Sequence, residues 1–308
     1  MQSHQKDKLI FLVGPTAVGK SEAAVRLAKK IKAEIVSCDS MQIYKGMDII
    51  TSKPSATLRK QVSHHLINNI PAEKEYNVSQ FRSAALKKIK EIIQKKKTPL
   101  LVGGTGLYMT ILLDGIFKAK AENIEVRNRL YRTAQKYGSA YLYGRLKKVD
   151  PAAAAKIHPH DTRRIVRAIE VFQTSGKPIS ELQKQRKGLA DDFKVKIFCL
   201  NMDRDKLYRR IDERVDKMFA RGLLKEVKKL LKIKLSKTAA YAIGLRELKG
   251  YFAGLYDLEE AKRLIKRNTR HYALRQLTWF RKDKRIKWIE VGEKEKPEKT
   301  AGRIWDKL

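Results

Sequence analysis

The sequence predicts an α/β fold, a parallel sheet core interrupted by a helical insertion. Three observations carry this. A short apolar run at residues 9–13 (LIFLV) ends in Gly14 and leads into a helical pattern. Two further short strands, 34–38 and the apolar run 99–102, recur after segments of helical length. From about 125 to 186 strand character disappears altogether. Strands alternating with helices imply crossover connections and a parallel sheet.

Each element has its own reason. Residues 9–13 are apolar on both faces, as a buried parallel strand must be. Residues 20–31 place Ala23, Ala24, Leu27 and Ala28 at helical spacing. Residues 79–97 form an amphipathic helix with Phe81, Ala85 and Ile89 on one side. The run 99–102 (PLLV) closes on Gly103-Gly104. In the insertion, Asp150 and Asp161 stand where helix caps are expected, and Ser175-Gly176-Lys177-Pro178 reads as a helix stop. Residues 195–200 (VKIFCL) return to strand, 204–281 are mostly helical, and 287–291 form a last strand. The tail after Gly292 is polar and carries no clear pattern. The expected organisation is therefore a catalytic core at 1–119 and 191–308, with a helical insertion at 120–190.

The chain has 308 residues, 43% of them hydrophobic, enough for a sizeable core. It has no apolar run of about 18 residues, so no membrane span is expected. The first eight residues lack the apolar stretch of a secretion signal, which points to a cytoplasmic protein. Cys38 and Cys199 lie far apart without His or Cys neighbours at metal spacing, so a zinc site or disulfide framework is not expected. Adjacent His64 and His65 diverge on any regular element and read as packing residues. The formal net charge of +36 is spread along the chain and should attract polyanions.

Gly14-Pro15-Thr16-Ala17-Val18-Gly19-Lys20-Ser21 fits G-x-x-x-x-G-K-[ST] between a strand and a helix. Glycines let the backbone wrap an anion, and the helix N-terminus adds partial positive charge. Lys20 contributes a full charge and Ser21 a hydroxyl that can ligate Mg²⁺. The core is thus P-loop NTPase-like, and the loop is a nucleotide- or diphosphate-binding site. It does not by itself signal ATP hydrolysis. Asp39 follows the second strand at the carboxyl edge of the sheet, where ligands of open α/β sheets bind.

With these residues in hand the chain resembles the tRNA dimethylallyltransferases, also called tRNA isopentenyltransferases. Asp39-Ser40-Met41-Gln42-Ile43-Tyr44 matches their Asp-Ser-x-Gln-x-Tyr signature. Gly103-Gly104-Thr105-Gly106-Leu107-Tyr108 is similar to their glycine-rich loop. Thr51-Ser52-Lys53-Pro54, Arg164, Arg167-Ala168, Arg209-Arg210-Ile211, Arg214 and Thr278-Trp279-Phe280-Arg281 continue the ordered set. Two departures stand out: Asn68 where an Asp is usual, and Tyr241-Ala242-Ile243-Gly244-Leu245-Arg246 in place of Gln-Ala-Ile-Gly-Tyr-Lys. Two cysteines cannot build the zinc finger of the eukaryotic relatives, so the resemblance is to the bacterial type.

The resemblance implies transfer of a dimethylallyl group from dimethylallyl diphosphate to N6 of adenosine 37, beside the anticodon, in tRNAs reading codons that begin with U. Pyrophosphate is released, and Mg²⁺ is the expected cofactor. Lys20, Mg²⁺ and Arg214 are the candidates for stabilising the leaving group. Asp39 is the candidate acceptor of the amine proton, with the Thr105 hydroxyl as a second hydrogen-bonding group. Asp39 also fits a plain turn or cap role. Thr16 is a possible substrate contact. Asp39, Ser40, Met41, Gln42 and Thr105 are expected along the path of the flipped adenine. Arg163, Arg164 and Arg167, with Arg127 as a weaker candidate, are expected to hold phosphates of the anticodon stem-loop. For each arginine a solvated helix face is the bland alternative. A monomer is expected. Competing readings are a small-molecule kinase, an enzyme prenylating free adenine nucleotides, and a non-catalytic RNA-binding protein. The first leaves the insertion unexplained, and the last leaves the intact Lys20-Ser21 pair without a purpose.

Overall fold

The strand that feeds the glycine-rich loop is the hub of the sheet. The computed structural model describes residues 6–117 and 123–308. In it, β1 (Lys8–Val13) is followed by α1 (Lys20–Lys30), β2 (Ala33–Ser37), α2 (Ala56–Gln61), β3 (His64–His65) and α3 (Val78–Gln94). β4 (Thr98–Gly103) and α4 (Gly106–Asp114) come next, then α5 (Ile124–Val149), α6 (Pro151–Ala154), α7 (Thr162–Ser175) and α8 (Ile179–Lys184). The chain continues through β5 (Lys194–Asn201), α9 (Arg204–Ala220), α10 (Leu223–Leu230) and α11 (Leu245–Phe252). It ends with α12 (Leu258–Phe280), β6 (Ile286–Glu290) and α13 (Pro297–Trp305).

The strands form one sheet in the order β3-β2-β4-β1-β5-β6, and every neighbouring pair is parallel. Phe11 of β1 faces Leu101 on one side and Ile197 on the other. Parallel strands covered on both faces lose all contact with water, which is why residues 9–13 are continuously apolar and all buried. Leu27 of α1, Ile211 of α9, Leu277 of α12 and Ile304 of α13 share one core with Ile10, Leu12, Phe198 and Leu200 of the sheet.

The chain divides into two compact units. One runs to Leu112 and resumes over Asp192–Leu308; the other is Leu113–Asp191. The sequence boundary at 119/120 lies outside the described residues. Within the second unit α5 and α7 pack over Leu130, Leu142, Leu146, Ile165 and Ile169. α5 is broken at Gly138, whose φ of 80° and ψ of 162° are not helical. Asp150 and Asp161 cap as expected, accepting from the Ala153 and Arg164 amides.

Three elements differ from the sequence expectation. α3 ends at Gln94, before Lys97, because Lys96 takes a left-handed φ of 57° to turn the chain into β4. His64 and His65 form a two-residue edge strand, and their rings serve packing. His65 Nε2 lies 2.7 Å from a Glu34 carboxylate oxygen, and His64 Nδ1 lies 2.7 Å from the Val62 carbonyl. The polar tail carries α13, which buries only Thr300, Ala301 and Ile304, too few apolar groups to show a helical period in the sequence.

Candidate active site at the phosphate loop

Gly14 begins the loop at φ 144°, with the Leu200 carbonyl 2.6 Å from where a Cβ would stand. Gly19 closes it at φ 96°, directly before α1. No other residue type fits the first position, and the second favours glycine by conformation. The α1 N-terminus therefore opens onto the loop. Lys20 Nζ lies across it, donating to the Gly14 and Pro15 carbonyls at 2.9 and 2.6 Å.

A second cation comes from far along the chain. Arg214 of α9 donates through Nε to the Ser52 hydroxyl at 2.8 Å and through Nη1 to the Thr16 hydroxyl at 3.2 Å. Burial, reinforced by Arg214, pushes the Lys20 ammonium down from 10.5 to about 8. Burial also lowers Arg214 to about 10, against the opposing pull of Asp39 and with help from Arg210. Two strong cations held together with part of their charge unmet make a site that favours an anion.

The same cavity, ≈ 780 Å³, is lined by Lys20, Ser21, Asp39, Arg210, Arg214 and Arg221, all from the first unit. The guanidinium of Arg210 lies 3.6 Å from the ideal Cβ position of Gly19. Sequence reasoning did not select Arg210 or Arg221, although a signal existed. Arg210 and Arg214 are one helical turn apart, and Arg221 follows seven residues after Arg214, so the three share a face.

Asp39 sits just beyond β2. Its Oδ1 accepts the amides of Met41 and Gln42 at 2.9 and 3.3 Å. The plain turn-forming role considered for this residue is therefore present, and it occupies one carboxylate oxygen. Thr105 Oγ1 accepts the Ser40 amide at 3.1 Å and lies 3.5 Å from the Ser40 hydroxyl. Gln42 Oε1 accepts from the Ser37 hydroxyl at 3.3 Å. Tyr272 of α12, another residue the sequence did not flag, lines the same cavity beside Arg275 and Gln276. Burial and the Asp39 charge hold its phenol well above the usual range, so it is a hydroxyl at every physiological pH. Gln276 donates to the Gly104 carbonyl and accepts from the Thr16 amide, both at 2.9 Å.

The loop between β2 and α2 is set by two further groups. Glu226 of α10 accepts the amides of Asp48, Ile49 and Ile50 at 2.8–3.1 Å. Lys53, buried, donates to the Tyr44 carbonyl, to Asp48 and to Asn68 Oδ1. Asn68 also donates to Asp48 Oδ1 at 3.4 Å, so the Asn for Asp departure keeps an acceptor for Lys53 and adds a donor.

The four arginines named for RNA contact divide in two. Arg163 is exposed, and Arg164 is exposed with an ion pair to Asp161 at 3.0 Å. Arg127 and Arg167 instead converge on Glu170, a carboxylate only 1% exposed, at 2.9 and 3.1 Å. All four belong to the second unit. Among the described residues no group of three or more His, Cys, Asp or Glu is arranged to hold a metal, and no helix is long and apolar enough to cross a membrane.

The chain is similar to several known proteins. The family model described as IPP transferase matches residues 42–283. A tRNA dimethylallyltransferase of Geobacter sulfurreducens is 46% identical over 291 residues, 94% of each chain. That of Carboxydothermus hydrogenoformans is 47% identical over 300 residues, covering 97% of this chain and 96% of its own. Among solved structures, the full-length tRNA isopentenylpyrophosphate transferase of Bacillus halodurans superposes with a TM-score of 0.69 at 38% identity, covering 98% and 97% of the two chains. A eukaryotic dimethylallyltransferase acting on tRNA gives 0.79 at 30% identity, over 92% of this chain and 74% of that one.

Proposed function

The chain belongs to the IPP transferase family, and from that premise we infer that it transfers a dimethylallyl group from dimethylallyl diphosphate to N6 of adenosine 37 of tRNA, releasing pyrophosphate. The observation that carries the reading is the convergence of Lys20 and Arg214 on one loop beside Asp39. The substrate tRNAs are those reading codons that begin with U. Because tRNA is the substrate, the cytoplasm is the working compartment. A monomer suffices, since one chain supplies every group named below.

The chemistry is a displacement at an allylic carbon. The C1–O bond to diphosphate breaks, and charge accumulates on the departing pyrophosphate. Lys20 and Arg214 hold that charge, as preorganised cations in a partly dry site do more effectively than water. The Thr16 hydroxyl, held by Arg214, borders the same space. The N6 amine of adenine attacks C1, forming the new C–N bond, and the carboxylate of Asp39 takes its proton. Thr105 orients Ser40, and Ser40, Met41 and Gln42 line the way in for the splayed base.

Mg²⁺ fits this donor set. The Ser21 hydroxyl lines the cavity and would hold it, since Mg²⁺ commonly takes one or two protein oxygens with the rest from substrate phosphate and water. When bound it would supply added positive charge to the diphosphate. Arg163 and Arg164, the two exposed arginines, are the groups best disposed to take RNA phosphates in the second unit.

The test is incubation of the protein with Mg²⁺, labelled dimethylallyl diphosphate and either unmodified tRNA or AMP, without ATP. Label in tRNA is expected. Label in AMP alone would assign the chain to nucleotide prenylation, and no transfer to either would return it to the kinase reading.

A further inference from the structure

Next to the catalytic cavity lies a second one, ≈ 860 Å³, that the reaction as described leaves unused. Its volume falls in the range of sites that hold small organic ligands. Leu231, Ile233 and Phe252 line it and stay 36–40% exposed, an apolar floor open to solvent. Arg246, Lys249, His271 and Arg275 stand around it, and none of them forms an ion pair among the described residues. Tyr241, Ala242, Ile243 and Arg275 line both cavities, so the two adjoin.

Tyr241 is the unusual member. It is 79% exposed, the most exposed large hydrophobic side chain among the described residues, while Ala239 and Ala242 around it are 0% and 6% exposed. The turn that carries it, Ala239–Tyr241, is fixed from below. Buried Ser236 donates its amide to the Ala72 carbonyl at 2.9 Å and accepts the Ala239 amide at 3.1 Å through its hydroxyl. A rigid turn thus holds an aromatic ring in water at the mouth of the catalytic cleft. This is also the position where the chain departs from the more usual Gln.

An exposed ring on a fixed turn, an apolar floor and arginines without an ion pair are the parts of a single-stranded nucleic-acid subsite. Bases stack on aromatic faces, and cations follow the phosphates. A strand whose target adenine enters the catalytic cavity must carry the adjoining nucleotide past its rim. We propose that this second cavity seats the nucleotide next to the target adenosine, with its base stacked on Tyr241 and its phosphate met by Arg275 and Arg246. The proposal rests on the prenyl-transfer reading and adds a specificity subsite to it.

The test uses the full chain and an unmodified anticodon stem-loop RNA in three forms: intact, abasic at the 5′ neighbour of the target adenosine, and abasic at the 3′ neighbour. Tyr241→Ala is expected to raise KM for the intact RNA about ten-fold with kcat unchanged, as removal of a stacking platform should. Tyr241→Trp is expected to keep the wild-type KM. On one of the two abasic RNAs the wild type and Tyr241→Ala should show the same KM, because the partner of the ring has gone. An equal penalty on all three RNAs, or none on the intact RNA, would overturn the proposal. Absence of turnover by the wild type on intact RNA would instead indict the transfer reading itself, so the two failures are distinguishable.

Discussion

Gln276 accepts the Thr16 amide with one end of its carboxamide and donates to the Gly104 carbonyl with the other, each at 2.9 Å. One side chain of α12 therefore ties the phosphate loop to the glycine-rich loop after β4. The fit is close: a Cβ on Gly104 would collide with Gln276 Nε2. Gln276→Leu preserves the bulk and leaves two backbone groups without partners, at about 1–3 kcal/mol for each such group that stays buried. We expect a fall in Tm of several degrees and a rise of about ten-fold in KM for dimethylallyl diphosphate. Gln276→Glu should be worse for substrate, because a carboxylate would oppose both the Gly104 carbonyl and the incoming anion. Thermal unfolding with steady-state kinetics checks this, and unchanged values for both would remove the clamp.

With Lys20 as the proposed diphosphate contact, the affinity for diphosphate should depend on pH. Its ammonium titrates at about 8 in the free protein, so it is charged below that pH and neutral above it. Log kcat/KM for dimethylallyl diphosphate should be level below pH about 8 and fall above it. Lys20→Arg, which stays charged, should lose that inflection even if its rate is lower. The stability effect has the opposite sign. The folded-state value is lowered from 10.5 to about 8, so the unfolded chain binds more protons between them. The contribution of Lys20 to stability is therefore unfavourable below about 8 and is relieved as the pH rises towards 10.5. An anion in the loop offsets this cost, so inorganic pyrophosphate should raise Tm more at pH 7 than at pH 10.

What the sequence made legible was local. An apolar run ending in Gly14, followed by Lys20 and an alanine-rich helical period, specifies strand, loop and helix within about twenty residues. Asp39 is legible in the same way, because its place depends only on the strand before it. The rest of the site depends on distance. Thr16 meets Arg214 across 198 residues and Gln276 across 260, and no period or composition records such a meeting. A motif position hinted at Arg214, but its partner required the fold. Arg127 shows the converse. On the sequence it is a basic residue on a helix, and only packing reveals Glu170, 43 residues on, as its partner. α13 escaped because its buried face is three residues wide.

Asp39 combines two roles that substitution can separate. Its Oδ1 holds the turn through the Met41 and Gln42 amides, while its charge is assigned to the proton transfer. Asn keeps the acceptor oxygen and removes the charge. Asp39→Asn should therefore keep the wild-type Tm and tRNA affinity while prenyl transfer falls by about 10²–10⁴-fold, the usual span for removal of a general base. Asp39→Ala should lose the same activity and some stability as well. Near wild-type turnover by Asp39→Asn would sink the base assignment.

The arginines of the second unit call for a divided experiment. Arg127 and Arg167 flank Glu170, whose carboxylate is almost fully buried and also accepts the Asn123 amide at 3.2 Å. Removing either arginine leaves that buried charge partly uncompensated, which is costly in a way that loss of a surface pair is not. Arg127→Ala should therefore lower Tm by several degrees whatever it does to RNA, and Glu170→Gln together with it should recover part of the loss. Arg163 and Arg164 have no such burden. A double Arg163→Ala, Arg164→Ala variant should keep the wild-type Tm and bind tRNA more weakly. The salt dependence of its log K should be shallower by about 1–2, since each phosphate that is no longer neutralised removes about one unit of slope. A titration of tRNA affinity between about 50 and 200 mM salt measures that slope. If the slope stays at the wild-type value, neither arginine meets a phosphate, and the RNA footprint of this unit must be sought on another of its faces.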